Sequence, residues 1–483
     1  MADTSPILLW FRRDLRLRDH PALAAAAASR RPVIPVFIHD ELVEGFGAAP
    51  RWRLGLGIAH FAETLAALGS RLILRRGTAA AQLALLAKET GAQDLWFSRA
   101  YDPDAIARDD TVRGMAEASG LTVRDFSGHL LHEPDAIRTG AGGFYKVFTP
   151  YWKNLRTRSV GPVRPAPTKL AAPADWPANC PASDDLAEWR MGAAMDRGAR
   201  IVRPHLCVGE QAAHDRLGHF VEHRLDAYDT ARDLPAVAGT SGLSENLTWG
   251  EISPRACWQA VVGEAEIGTG VATFLKELAW REFAYHLAFH TPRLLRDNWR
   301  PEWDSFPWNR DSDTPQVLAW KQGRTGIEFV DAAMRELYVT GRMHNRARMI
   351  VASYLTKHLM TDWRVGQAWF EHCLIDWDPA SNAMGWQWVA GSGPDASPYF
   401  RIFNPDTQRK RFDPDRAYLD RWIAEARADA NPDPHPDALA FFKAIPRSWG
   451  LSPSDPYPDP VVALDKGRDR ALASYRDARG DKT

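Results

Sequence analysis

Five short apolar runs alternate with stretches of helical length through the first third of the chain. They lie at 7–11 (ILLWF), 33–38 (VIPVFI), 71–74 (RLIL), 94–98 (DLWFS) and 122–126 (TVRDF), separated by alanine- and leucine-rich segments such as 54–68 and 78–90. A strand that leads into a helix and then into another strand has to cross over to a parallel neighbour, so this pattern predicts a mainly parallel sheet covered on both faces. No GxGxxG follows the first run, so the sheet by itself names no dinucleotide.

The pattern then changes. Residues 155–200 are irregular and rich in Pro, Ala and Arg, as expected of a connector laid over the surface. From 205 onward helical periodicity dominates, over 211–226, 253–261, 270–289, 326–340, 344–359 and 363–374, with one charged helical stretch at 465–478 near the end. The expected architecture is an α/β Rossmann-like N-terminal domain with a parallel sheet (1–135), a long connector (136–204) and an all-α domain (205–475). A chain of 483 residues has ample length for two such cores.

Composition narrows the function. Sixty Lys and Arg against 61 Asp and Glu give a formal charge of -1, which excludes a protein that holds nucleic acid by being basic throughout, while leaving room for a local basic face. Cys180, Cys207, Cys257 and Cys373 are far apart and form no CxxC pair, arguing against a disulfide scaffold or a cysteine zinc site and for a reducing compartment. No signal peptide or membrane span is visible, so a soluble cytoplasmic protein is expected. Tryptophan is in excess, with 20 residues, 14 of them between Trp249 and Trp449.

Four segments of the helical half collect chemistry. In 228–255, Tyr228, Thr240, Ser241 and Ser244 supply hydroxyls around a Gly-Thr-Ser-Gly turn, which reads either as a phosphate cradle or as a loop with ordinary helix caps. In ELAWREFAYH (277–286), Glu277 and Arg281 share a helix face with Trp280 nearby, either as a salt bridge beside a core indole or as the wall of a pocket. In MHNRARM (343–349), Asn345, Arg348 and Met349 occupy neighbouring faces, and a lone His344 reads as an ordinary satisfied histidine. Between 376 and 404, a loop between helices is expected to gather Asp376, Asp378, Asn382, Trp386 and Trp388. The paired aspartates suit general acid/base work, a divalent ion, hydrogen bonding to a heterocycle, or pairing with Arg348. The run 409–411 (RKR) reads by default as a solvated charge cluster, and no spacing such as HExxH supports a metal site.

Taken together, several stretches resemble the DNA photolyase/cryptochrome family. They are WFRRDLRLRDHPAL (10–23), YKVFTPYW (145–152), TSGLSENLTWGEISPR (240–255), ELAWREF (277–283), WKQGRTGIEFVDAAMREL (320–337), GRMHNRARMI (341–350) and DWDPASNAMGWQWVAGSGPDASPYFRIFNP (376–405). They run nearly the whole chain in the family's order, and the resemblance is nearest to its class I cyclobutane pyrimidine dimer photolyases.

What the resemblance implies is specific. The sheet domain becomes an antenna domain and the helical one a catalytic, FAD-binding domain. Tyr228, Thr240, Ser241, Leu243 and Ser244 would cradle the FAD phosphates, Arg348 would pair with Asp376, and Asp376 and Asp378 would face the isoalloxazine and adenine sides. Asn382 matches the position beside flavin N5, where asparagine is the photolyase choice and aspartate that of a plant cryptochrome. Glu277, Trp280, Asn345, Met349 and Trp388 would form the dimer pocket. Relatives that repair the (6-4) photoproduct carry histidines at the positions of Asn345 and Met349, and neither Asn nor Met is a strong general acid.

Trp386, Trp363 and Trp308 match an electron relay, with Trp303 and Trp299 as alternatives for the outer member. Arg232, Arg281, Arg346, Arg401 and Lys410 match positions at or near the phosphate backbone. The implied cofactor is FAD, reduced and anionic when active, with a possible second antenna chromophore (a deazaflavin, a flavin or a folate). Ala105 stands where folate-binding relatives have a glutamate. The implied activity is light-driven dimer repair by a monomer acting on UV-damaged DNA, with no membrane. A blue-light-sensing cryptochrome and a (6-4) photolyase are the alternatives.

Overall fold

The structure is a computed structural model that describes residues 5–176, 180–262, 268–395, 400–425 and 433–479. The five apolar runs form β1 (Ile7–Phe11), β2 (Val33–His39), β3 (Ile73–Arg76), β4 (Asp94–Ser98) and β5 (Thr122–Phe126). They make one parallel sheet in the order β3-β2-β1-β4-β5, with Ile7 in register with Val33 on one side and Asp94 on the other. The third strand starts two residues later than the apolar run and extends through Arg75 and Arg76, because an edge strand with a half-exposed end tolerates charge there.

Helices α1 (Pro21–Ser29) and α2 (Ala48–Ala67) cover one face of the sheet, and α3 (Ala79–Thr90) and α4 (Pro103–Ala118) the other. Strand alternation divides β1 accordingly. Ile7, Leu9 and Phe11 pack with Leu54, Ile58 and Phe61 of α2, whereas Leu8 and Trp10 pack with Leu83, Leu86 and Val112.

The connector is pinned to the sheet domain by backbone hydrogen bonds from Asp19 to Arg164, Val33 to Ala171, and Asp184 to Leu74. It also carries α5 (Phe148–Leu155). Beyond it, the helices that build the site are α6 (Ser244–Trp249), α7 (Thr269–His290), α8 (Glu328–Thr340), α9 (Asn345–Ser353), α10 (Trp363–Cys373) and α11 (Pro379–Ala390). Among the described residues no helix is long and apolar enough to cross a membrane.

Two expectations are corrected. The stretch 344–359 is not one regular helix: α9 gives way to a π-helical turn over Tyr354–His358. The segment expected as a loop between 376 and 388 is mostly α11. Asp378 caps that helix by accepting from Ser381 N at 2.8 Å, Pro379 occupies its first turn, and Gly391 ends it at φ 94°.

The two domains meet where the turn after β1 touches the end of α6. Leu15 N donates to Trp249 O (3.2 Å), Arg16 Nη1 to Gly250 O (3.0 Å) and Arg13 Nε to Thr248 O (3.0 Å). Nearby, Arg53 of α2 is wholly buried between Glu251 (2.6 Å) and Glu245 (3.4 Å), which crosslinks the domains by charge.

Gly250 has φ 68°, and a Cβ there would lie 2.1 Å from Arg13 O; Gly450 has φ 65° with nothing within 4 Å. Both would suffer the left-handed penalty of about 1–2 kcal/mol on substitution by alanine. Gly250→Ala should cost clearly more than Gly450→Ala in urea unfolding, and equal losses would remove the close backbone approach as a constraint.

Candidate functional site

The loop before α6 has its carbonyls tied down. Arg216 Nη1 donates to Gly242 O at 2.7 Å and Arg224 Nη1 to Thr240 O at 3.4 Å. In a trans peptide the N–H that follows each carbonyl points the opposite way, so the amides of Ser241 and Leu243 face away from these arginines. Thr240 and Ser241 are half-buried beside them, Ser244 is exposed, and Leu243 and Tyr228 are buried. Leu243 N–H is held by Ser241 Oγ at 3.4 Å, so the Ser241 amide and the Thr240 and Ser244 hydroxyls are the donors this loop has for an anionic group.

Arg348 of α9 forms a forked pair with Asp376, through Nη2 at 2.8 and 3.1 Å. Its Nε donates to Met343 O, and Asp376 O accepts from Thr248 Oγ1, so the pair is fixed from both ends. Asp378 accepts from Tyr285 Oη and lies 3.7 Å from Arg13. Burial, with Asp378 adjacent, raises the Tyr285 hydroxyl well above its ordinary range, so it stays a proton donor. Asn382, one turn into α11, donates to Gln367 O of α10 at 3.1 Å.

Glu277 and Arg281 do not pair with each other. Glu277 bonds Arg232 at 2.5 Å, while Arg281 turns inward to His129 O (3.0 Å) and Glu282 (3.2 Å). Spacing on one helix shows which groups could meet, and here each finds a shorter partner on another segment. Burial raises the Glu277 carboxyl, and Arg232 opposes that shift.

The next residue, Asp233, binds Arg346 of α9 at 2.7 Å, so residues 232–233 tie α7 to α9. His344 caps α9 by accepting from Arg346 N, which requires a neutral ring, and burial lowers its pKa to about 4. Asn345 is exposed at the head of α9, and Met349 and Trp388 are half-buried. Arg401 sits 6.0 Å from the Trp388 ring centre and, like Lys410, is exposed. Of the five expected cations, Arg232 and Arg346 are therefore ion-paired, Arg281 is engaged inside the fold, and Arg401 and Lys410 lie on the surface.

Trp386 packs against Gly366 of α10, where a Cβ would stand 2.0 Å from its Cη2, and Trp363 is the first residue of that helix. Trp363 Nε1 donates to Asn298 Oδ1 (2.8 Å) and Trp308 Nε1 to Thr356 O (2.9 Å). Asp362 N bonds Asn309 O, which brings the neighbourhoods of Trp308 and Trp363 together. Trp308 is stacked on Trp303, with centroids 5.4 Å apart.

Sequence reasoning missed Tyr285, Arg13, Gln367 and Lys357. The first two lie in or beside stretches already singled out, but their partners are far away in the chain.

Comparison with known proteins follows the same lines. Residues 7–173 match the profile described as DNA photolyase, and 274–477 that described as the FAD binding domain of DNA photolyase. The chain is 43% identical over 476 residues to a deoxyribodipyrimidine photo-lyase of Agrobacterium fabrum, covering 98% of each protein. It is 35% identical to cryptochrome-2 of Arabidopsis thaliana, across 98% of this chain and 79% of that one. The crystal structure of a bacterial class III photolyase from Agrobacterium tumefaciens superposes with TM-score 0.88 at 42% identity, covering 99% of this chain and 98% of that one.

The residues present fit FAD: an amide-and-hydroxyl rim for its phosphates, a charged pair at Arg348–Asp376, and Asn382 on the adjoining helix.

Lys357, in the π-helical turn, is fully buried. Its Nζ donates to Ala390 O at the end of α11 and lies 3.7 Å from the Phe400 ring centre. Burial lowers its pKa well below the ordinary lysine value. The unfolded chain therefore binds more protons than the folded one between the two pKa values, and the lysine's destabilising contribution fades as pH rises toward about 10. Melting temperatures of wild type relative to Lys357→Met should rise between pH 7 and 10; a constant difference would contradict the depressed pKa.

Proposed function

The chain belongs to the DNA photolyase/cryptochrome family, whose activities are light-dependent DNA repair or photoreception, and we propose that this member is a repair lyase acting on cyclobutane pyrimidine dimers. The carrying observation is the pocket wall formed by the Glu277–Arg232 pair with Trp280 one turn further along α7, joined through Asp233 to the helix that bears Asn345 and Met349.

FAD, reduced and anionic when active, would supply the photoexcited electron. The protein supplies the rest. Thr240, Ser241 and the neighbouring amides orient the phosphates, and Arg348–Asp376 fixes the electrostatics beside them. Glu277, partly desolvated and already holding Arg232 through one oxygen, offers the other to the polar edge of a flipped-out pyrimidine. Trp280 and Trp388 exclude water and present flat apolar faces.

Asn345 and Met349 favour the cyclobutane lesion over the (6-4) product, because neither side chain delivers a proton. Asn382 favours repair over the plant-cryptochrome reading. On class, the resemblance to class I stands beside 42% identity to the bacterial class III photolyase, and we read the chain as a cyclobutane-dimer enzyme related to both.

A second chromophore is supported by a cavity of about 450 Å³ at the carboxyl ends of β1, β2 and β4, lined by Arg12, Asp40, Tyr101, Asp102, Arg108 and Gln367. In an open parallel sheet, ligands bind where the strand order reverses, here between β1 and β4. Asp102 caps α4 through Oδ1 at 3.0 Å and Asp104 pairs with Arg296 at 2.8 Å, while both also line this cavity, so a deazaflavin, a flavin and a folate stay open as its occupant.

Illumination of the purified protein with thymine-dimer DNA should restore the ultraviolet absorbance of intact pyrimidines, and no recovery would overturn the repair reading. Glu277→Ala should lower the repair yield while FAD stays bound, whereas loss of FAD would move Glu277 out of the lesion pocket. Trp386→Phe should block photoreduction of oxidised flavin yet spare repair by already reduced enzyme; failure of both would remove the relay-only role.

A further inference from the structure

Trp280 does not stand free. The ring of Phe148 lies on it at 3.7 Å between centroids and 7° between planes, closer to face-to-face than isolated aromatic pairs prefer. Phe283 meets both rings edge-on, 5.8 Å from each. One face of the Trp280 indole is thus covered by protein, and only the other is available to a base.

What holds Phe148 there comes from a distant segment. Phe148 is the first residue of α5, which is anchored by the buried Tyr151 and Leu155. Val147, at the N-cap position, provides no side-chain cap, and the Phe148 N–H donates instead to Asp395 Oδ2 at 3.4 Å. Asp395 lies in the segment that leaves α11, four residues beyond its C-cap Gly391, and adopts φ 51°. Aspartate tolerates this left-handed conformation better than most residues, but the conformation is still costly and persists only where the surroundings impose it. Asp395 therefore links α11, which carries Trp388, to α5, whose first ring backs Trp280.

We propose that Phe148, held by Asp395, is a positioning residue for lesion recognition. It fixes the plane of Trp280, leaves one indole face for the pyrimidine, and ties that face to the Trp388 side of the pocket. This inference rests on the repair reading and deepens it. Phosphate contacts bind damaged and undamaged DNA alike, whereas a correctly presented indole acts only on a base that has left the stack. The signature of the role is therefore the ratio of the two affinities.

The test is dark binding, by fluorescence anisotropy, of an oligonucleotide with one thymine cyclobutane dimer and of the same oligonucleotide undamaged. Phe148→Leu keeps an apolar group of similar bulk but no flat ring. It should lower the damaged-to-undamaged ratio about fivefold to tenfold, the scale of one aromatic stack, with undamaged affinity unchanged and melting lowered by no more than a few degrees, about what the loss of one buried ring contact costs. Asp395→Ala should act in the same direction, and Asp395→Asn, which keeps an acceptor and tolerates the left-handed backbone, should restore the ratio.

An unchanged ratio in Phe148→Leu would overturn the proposal. So would a fall accompanied by equal loss of undamaged binding and of thermal stability, which marks a merely structural role. A wild type that binds both oligonucleotides equally would instead overturn the repair reading itself, and that outcome is visible before any variant is made.

Discussion

The approach of the turn after β1 to the end of α6 fixes nearly everything downstream. Gly250 allows the Arg13 carbonyl to come within a distance no side chain would permit. Around that point Arg13 reaches the carbonyls of Thr248 and Trp377 and the carboxylate of Asp378, and Trp249 Nε1 binds Ile375 O at 2.9 Å. Most of these bonds end on backbone carbonyls, so they locate the chain at 375–378 independently of its side chains. Asp376 then meets Arg348, and Asp378 starts α11. The helix that bears Asn382, Trp386 and Trp388 is aimed by the sheet domain, which touches none of these three residues through the bonds described.

Charge is organised inward by the same logic. A net charge of -1 excludes a chain that is basic throughout, and many arginines are engaged by internal carboxylates: Arg53 by Glu251, Arg335 by Glu425, Arg348 by Asp376. A buried pair costs desolvation on both sides, and its value is in fixing one geometry against others. Arg232 and Arg346 follow the same pattern at the pocket rim, each with an acidic partner. A cation already paired has less charge to offer a phosphate, so if the chain holds DNA as proposed, Arg401 and Lys410 are the exposed charges of the five that would steer it.

The sheet domain was legible because parallel strands buried on both faces read as unbroken apolar runs. Every strand was found; β2 runs one residue past its apolar run to His39, and the larger displacement lies on β3, an edge strand whose charged end breaks the run. The helical half was legible in extent but not in detail. Asp-Pro-Ala-Ser at 378–381 looks like the start of a loop, and the same residues, as cap and first turn, open α11. Glu277 and Arg281 were correctly placed on one face of a helix, but Glu277 pairs with the distant Arg232, and Arg281 with distant His129 and its own neighbour Glu282. Phe148 shows the limit most clearly. Its motif was visible, while its role depends on Trp280, 132 positions further along the sequence, which no local pattern encodes.

The tryptophan excess divides along hydrogen-bonding lines. Trp249 donates to a backbone carbonyl and works as a joint between domains. Trp363 and Trp308 donate to an amide oxygen and a carbonyl, neither of which is a base at neutral pH, while Trp386 Nε1 is buried with no acceptor among the described residues. In the proposed relay this has a chemical consequence. An indole that gives up an electron becomes a strong N–H acid, and at none of the three positions does a carboxylate or imidazole hold that N–H. In such a relay, proton loss from Trp363 or Trp308 would have to go to a group other than the oxygen that holds the N–H here, so the proton would not be handed on along these hydrogen bonds.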